Sequence, residues 1–248
     1  MNNKTTRLNK FIAQSGLCSR RDADELILQG KVKVNNNIVQ ELGFQIGKND
    51  IVKVDDKPIE AKQFEYYVFH KPAGYITTSD DEKNRKTIYE FFPDNLKHLK
   101  PVGRLDKDSS GLLLMTNDGD LINKMTHPSV KIPKMYRVVV KGKMQQFDMD
   151  KMTEGIEIEQ GKTAWADVRL LEYEDNKNTV LEVRLYQGLN RQIRKMTDYL
   201  GFPVISLKRI SHGCLNLIGL KRGQYKKLRT SQVKELLTYI KKVEQDLV

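Results

Sequence analysis

The chain is poor in cysteine, has no long apolar run and carries fewer acids than bases, and each shortage excludes something. Its two cysteines, Cys18 and Cys214, stand far apart with no Cys-x-x-Cys or Cys/His ligand spacing. Neither a disulfide framework nor a zinc knuckle has support. No stretch approaches the ~20 consecutive apolar residues of a membrane span. The opening MNNKTTRLNK has no apolar signal-peptide core, so a cytoplasmic protein without a membrane partner is expected. The histidines, His70, His98, His127 and His212, are scattered, and no phosphate-cradling glycine loop or Ser/His/Asp grouping is present. No metal is expected.

What is present is a polycation long enough to fold. The 248 residues allow one large domain, or a small one plus a medium one. The 39% hydrophobic content falls in strand and helix patterns rather than at random. Forty-three Lys and Arg against 32 Asp and Glu leave a net charge of +11, a surplus that points to a polyanionic partner. The surplus is uneven. Residues 199–234 hold eight bases and no acid, and KIPKMYRVVVKGK at 131–143 holds five bases and no acid. Such fields attract phosphates and make binding salt dependent.

The first sixty residues read as a compact module. RLNKFIAQSG places Leu8, Phe11 and Ile12 at helical spacing and closes at Gly16, a residue suited to a left-handed cap. Ser19, with Asp22 three residues later, predicts the start of a second helix carrying Ala23, Leu26 and Ile27 and ending at Gly30. Short strands follow at 31–34, after the Asn35–Asn37 turn and from Ile51. Arg20 and Arg21 at the second helix's start oppose its dipole, which argues for an anionic partner there. RLNKFIAQSGLCSRRDADELILQGKVKVN resembles the RNA-binding domain first described in ribosomal small-subunit protein four. The resemblance implies phosphate contacts by Arg7, Lys10, Ser19, Arg20, Arg21 and Lys31. The expected division is 1–60 for this domain, 61–65 for a linker, and 66–248 for a second domain.

In the second part, YYVFH at 66–70 predicts an apolar strand, KPAG a turn and YITTS another strand. Residues 87–92 read as a short helical piece, LLLMT as a buried strand, and 120–126 as a helix. KMYRVVVKG, ADVRLLEYE and TVLEVRLY are rich in β-branched residues, as strands are. A helix is expected over 190–200 with Ile193, Met196 and Leu200 on one side. A closing amphipathic helix is expected in SQVKELLTYIKKVEQDL, with Val233, Leu236, Leu237, Ile240 and Val243 on one face. No internal repeat interrupts this order.

GRLDKDSSGLLLMTNDGDL sets Asp106 and Asp108 two residues apart, ahead of a buried strand. In an extended segment such residues project to one side, so they could bind a metal or act as acid and base; capping a turn is the commoner fate of Asp. Spacing alone leaves these readings open. The same stretch resembles the signature of RNA pseudouridine synthases, in the branch holding small-subunit synthase A and the large-subunit synthases B, E and F. The likeness continues through KMYRV, QGLNRQIRKM and RISHGCLNLIGLKRGQYKKL, and covers essentially the whole chain. QGLNRQIRKM is most similar to the F-type members, which act on large-subunit ribosomal RNA.

The resemblance implies isomerisation of an RNA uridine to its C-glycoside without a cofactor, by a monomer acting on folded RNA, a ribosomal stem-loop or a transfer RNA. It implies that Asp106 is the catalytic carboxylate, that Arg194 pairs with it, and that Tyr136 stacks on the flipped uracil and assists late proton removal. Arg104 would fill the gap in the base stack; Arg191, Lys71 and residues 215–228 would line the same cleft; Asp108 would be structural. The implied fold is α+β: a small N-terminal RNA-binding domain beside a catalytic domain with a mixed, mostly antiparallel sheet and a central cleft. The rival reading is a noncatalytic RNA-binding assembly factor.

Overall fold

A computed structural model describes residues 5–78, 81, 83–159, 162–175, 177–217 and 219–245. The chain divides into two compact units, residues 1–64 and 65–248.

In the first unit, helices α1 (Leu8–Gln14) and α2 (Arg20–Leu28) share a core with a four-stranded antiparallel sheet. The sheet runs β2-β1-β3-β4, with β1 Val32–Val34, β2 Asn37–Ile38, β3 Val52–Val54 and β4 Lys57–Ile59. Leu8, Ile12, Ala23 and Ile27 from the helices meet Val32, Val34, Val52 and Val54 from alternate strand positions. Both hairpins turn through two residues of positive φ, Asn35–Asn36 and Asp55–Asp56, side chains that tolerate this conformation. Ser19 and Asp22 form a reciprocal capping box at the start of α2, 3.2 and 3.1 Å.

The second unit is built on a nine-stranded mixed sheet. Its main path is β8-β9-β7-β10-β6-β5-β11. These strands are β5 Tyr66–Lys71, β6 Ser110–Thr116, β7 Lys134–Lys141, β8 Asp167–Glu174, β9 Asn178–Leu185, β10 Val204–His212 and β11 Tyr225–Lys227. Every pairing on this path is antiparallel except β10 with β6. The run LLLMT is apolar throughout because both sheet faces are covered. Leu113 and Met115 join a cluster with Met149 and Met152 of α4 (Gln146–Glu154) and Ile193 and Met196 of α5 (Gln192–Tyr199). Leu112 and Leu114 point the other way, to Leu121 and Met125 of α3 (Gly119–Thr126) and Leu236 and Ile240 of α6 (Thr230–Gln245). Each such leucine, fully buried, contributes about 2 kcal/mol.

One expectation changes, and two elements carried no signal in the sequence. YITTS makes only an isolated bridge, Ile76 to Thr87, and its last residue, Ser79, lies outside the described residues, as do positions 246 and 247 of the closing segment. The helix α4, not anticipated from QFDMDKMTE, is capped by Gln145 and Asp148 and buries only Met149 and Met152. The strand β10 was also not anticipated; its residues alternate poorly because a β-bulge interrupts them.

Candidate active site

Strand β6 is preceded by a loop, residues 104–109, whose backbone is held at almost every carbonyl. The Thr77 hydroxyl donates to the Leu105 carbonyl at 2.8 Å and accepts from the Leu105 amide at 3.3 Å. The Gly74 amide donates to the Lys107 carbonyl at 2.7 Å. From beneath, Lys71 Nζ donates to the carbonyls of Asp106 (2.9 Å), Ser109 (2.8 Å) and Pro72 (3.1 Å). Lys71 is fully buried, and burial pulls its ammonium down to about 8, with the carboxylates of Asp106 and Asp108 partly opposing. Lys71 therefore does not line the cleft, as the resemblance implied; at the end of β5 it is sealed under the loop and fixes its shape.

The Asp106 side chain points from this loop into a cavity of about 510 Å³, bordered also by Arg104, Tyr136, Tyr186, Arg191 and Arg209. Arg104 is exposed, and Tyr136 is buried on β7. None of the described residues 215–228 reaches the cavity, contrary to expectation.

The expected pairing of Arg194 with Asp106 is not the one observed. Arg194 Nη2 donates to the backbone carbonyl of Asp108 at 3.2 Å and lies 3.3 Å from its carboxylate. The guanidinium beside Asp106 is that of Arg191, at 3.8 Å, which also donates to Asp108 at 3.3 Å. The reason is local geometry. Residues 106–109 form a turn rather than an extended strand, closed by the Ser109 amide on the Asp106 carbonyl at 3.1 Å, and Arg191 Nη1 reaches both carboxylates. Arg194 sits in the first turn of α5, itself buried, and reaches Asp108, the more exposed of the two acids. Arg191 caps that helix in the left-handed conformation, φ 50° and ψ 33°, which swings its side chain over the rim. Burial raises the Asp108 carboxyl, but its backbone hydrogen bond and the two guanidiniums outweigh that and hold it below the usual range.

Three further polar residues line the cavity beside Tyr136: Lys134, Arg209 and His212. Sequence reasoning passed over them, because nothing in the spacing of Arg209 and His212 announces that they face Tyr136 and Lys134 across a strand pair. Burial, with Arg209 nearby, brings Lys134 down to about 8 and drives His212 well below its ordinary value. In the first unit, Arg7, Ser19, Arg20, Arg21 and Lys31 are exposed and Lys10 is half-buried. The capping box already occupies the Ser19 and Asp22 amides, so the guanidiniums of Arg20 and Arg21, rather than those amides, are what the start of α2 offers an anion.

Comparison with known proteins agrees with this architecture. Residues 65–199 match the RNA pseudouridylate synthase family and residues 6–60 the S4 domain. The chain is 42% identical over 231 residues to the ribosomal large subunit pseudouridine synthase B of Bacillus subtilis, covering 93% of this chain and 95% of that one. It is 35% identical over 239 residues to the dual-specificity RNA pseudouridine synthase RluF of Escherichia coli, covering 95% of this chain and 80% of that one. A solved structure described as a pseudouridylate synthase superposes with a TM-score of 0.65 at 29% identity, over 93% of this chain and 99% of that one. A carboxylate loop in a sheet-lined cavity, joined to an RNA-binding module, is the design of an RNA-modifying enzyme. The chain belongs to the RNA pseudouridine synthase family.

Proposed function

We propose that this enzyme isomerises one uridine of large-subunit ribosomal RNA to pseudouridine, with Asp106 as the reacting carboxylate. The supporting observation is the placement of that carboxylate: in the cavity, 3.8 Å from Arg191, on a loop pinned by Lys71. An adjacent guanidinium favours the ionised carboxylate, the form able to attack. The carboxylate attacks the anomeric carbon as the bond to N1 breaks, or adds to the uracil ring first; in both routes the freed base turns and C5 takes the anomeric carbon. The proton displaced from C5 then leaves, with the Tyr136 phenol placed to assist. Arg104 at the rim fills the gap left by the extruded nucleoside, and Arg194 and Lys71 position the loop without touching substrate.

Residues 1–60 supply RNA affinity through Arg7, Lys10, Arg20, Arg21 and Lys31, residues 61–65 link, and residues 66–248 carry the chemistry. Ser19 serves the helix cap. Large-subunit RNA is favoured because the Bacillus subtilis relative is named for that subunit. The B-type relative is 42% identical and the F-type one 35%, so the assignment is to the large-subunit RNA and not to one type of enzyme. The protein works as a cytoplasmic monomer; among the described residues no helix is long and apolar enough to cross a membrane. Mapping pseudouridines in total RNA from cells with and without the gene tests the assignment. One large-subunit position should lose its pseudouridine; loss only in transfer RNA, or no loss, would refute it.

A further inference from the structure

The cavity has a second polar end, opposite in character to Asp106. Tyr136 of β7 pairs with Arg209 of β10, and Lys134 pairs with His212, one step further along. Residues 209 and 212 would face opposite sides of a regular strand. The bulge in this pairing, between Met135 and Tyr136, adds one residue to β10 and turns both side chains to the cavity.

Once there, their polar atoms are left over. Arg209 is 2% exposed; its Nε donates to the Leu112 carbonyl at 2.7 Å, while Nη2 has no partner. His212 is 1% exposed, and neither ring nitrogen has a partner. Lys134 Nζ donates to the Ile132 carbonyl at 3.1 Å and has donors to spare. Among the described residues bordering the cavity the single acid is Asp106, which faces Arg191. A buried guanidinium and a half-buried ammonium beside a buried imidazole, without an acid, are costly unless something answers them.

We infer that Lys134, Arg209 and His212 form a subsite for a phosphate of the substrate strand, next to the extruded nucleoside. The inference rests on the functional reading above and deepens it. A neutral uracil carbonyl would answer one donor; a phosphodiester, with its charge and several acceptor oxygens, answers all three. The subsite fixes the sugar by its own phosphate, so that the anomeric carbon is presented to Asp106 and the ring to Tyr136.

Calorimetric titration of the full chain at fixed ionic strength, with uridine, uridine 3′-monophosphate, uridine 5′-monophosphate and inorganic phosphate as probes, tests this. At least one nucleotide should bind about tenfold more tightly than uridine, the order expected for a charge-assisted hydrogen bond. Inorganic phosphate should compete for that gain, and Arg209→Gln and Lys134→Gln should each remove most of it. Arg209 also holds the Leu112 carbonyl; Lys134→Gln, at a less buried position, keeps the fold and serves as the decisive variant. If neither nucleotide exceeds uridine, or if the gain survives in Lys134→Gln, the subsite is refuted. Turnover of ribosomal RNA by the wild type, measured in parallel, separates the two claims. An active enzyme without the phosphate gain loses only the subsite, whereas an enzyme inactive on that RNA loses the functional reading whatever the titration gives.

Discussion

At the scale of single residues, Asp106 and Asp108 differ in the arginines they meet. Asp108, the more exposed acid, meets both Arg194 and Arg191, and Asp106, which borders the cavity, has Arg191 beside it. Two arginines three apart in the sequence therefore have separable duties. Arg191→Gln should lower kcat about a hundredfold, the usual cost of one charge-stabilising donor, and leave the melting temperature unchanged. Arg194→Gln strips the loop of its buried anchor and should cost roughly 2 kcal/mol, a fall of several degrees in Tm, with turnover falling as well. Thermal melts and steady-state kinetics on the two variants check this; equal Tm values would refute the division. The residue types were legible in the sequence, since a carboxylate, a tyrosine and nearby arginines stood in a recognisable order. Which arginine met which aspartate was not, because it depends on the Ser109–Asp106 turn and on the left-handed backbone at Arg191.

At the scale of elements, the site depends on how closely β10 and β6 approach. Gly111 has φ +120°, and a Cβ there would lie 2.2 Å from the Arg209 carbonyl oxygen. Gly111→Ala should destabilise the fold by about 3 kcal/mol or more, through overpacking and an unfavourable backbone angle, as urea titration would reveal. A shift below 1 kcal/mol would show that the strands yield easily.

The loop also carries a pH signature. Folding brings Lys71 down from 10.5 to about 8, so its ammonium, which grips the carbonyls of Pro72, Asp106, Lys107 and Ser109, is lost as pH rises through about 8. Turnover should fall across that range, and Lys71→Gln should have low activity without this alkaline limb. Stability moves the other way. Between about 8 and 10.5 the folded chain binds fewer protons than the unfolded chain, so this group's contribution to stability grows with pH there. Strands such as LLLMT and YYVFH were legible from their apolar runs. Helix α4, with only two buried methionines, and β10, with its bulge, lacked a periodic signal.

At the scale of the whole molecule, a net charge of +11 and an RNA-binding module precede a catalytic sheet. The two-part organisation was legible because helix caps, turn asparagines and apolar alternation agree over the first sixty residues. Replacing Arg20 and Arg21 with Gln in the full chain should weaken RNA binding and flatten the dependence of log affinity on log salt by about 1.5 to 2. The kcat at saturating RNA should stay as in the wild type. An unchanged salt slope would remove these two residues from the interface.

The central claim is that the Asp106 carboxylate breaks the bond between sugar and base. Single-turnover assays on ribosomal RNA carrying tritium at uracil C5 test it directly, because forming the new carbon–carbon bond expels that hydrogen. Wild-type enzyme should release tritium from one uridine per RNA with no loss of base. Asp106→Asn should bind the RNA as tightly and release tritium slower by about four orders of magnitude or more. Tritium release by Asp106→Asn at close to the wild-type rate, or free uracil among the wild-type products, would contradict the account.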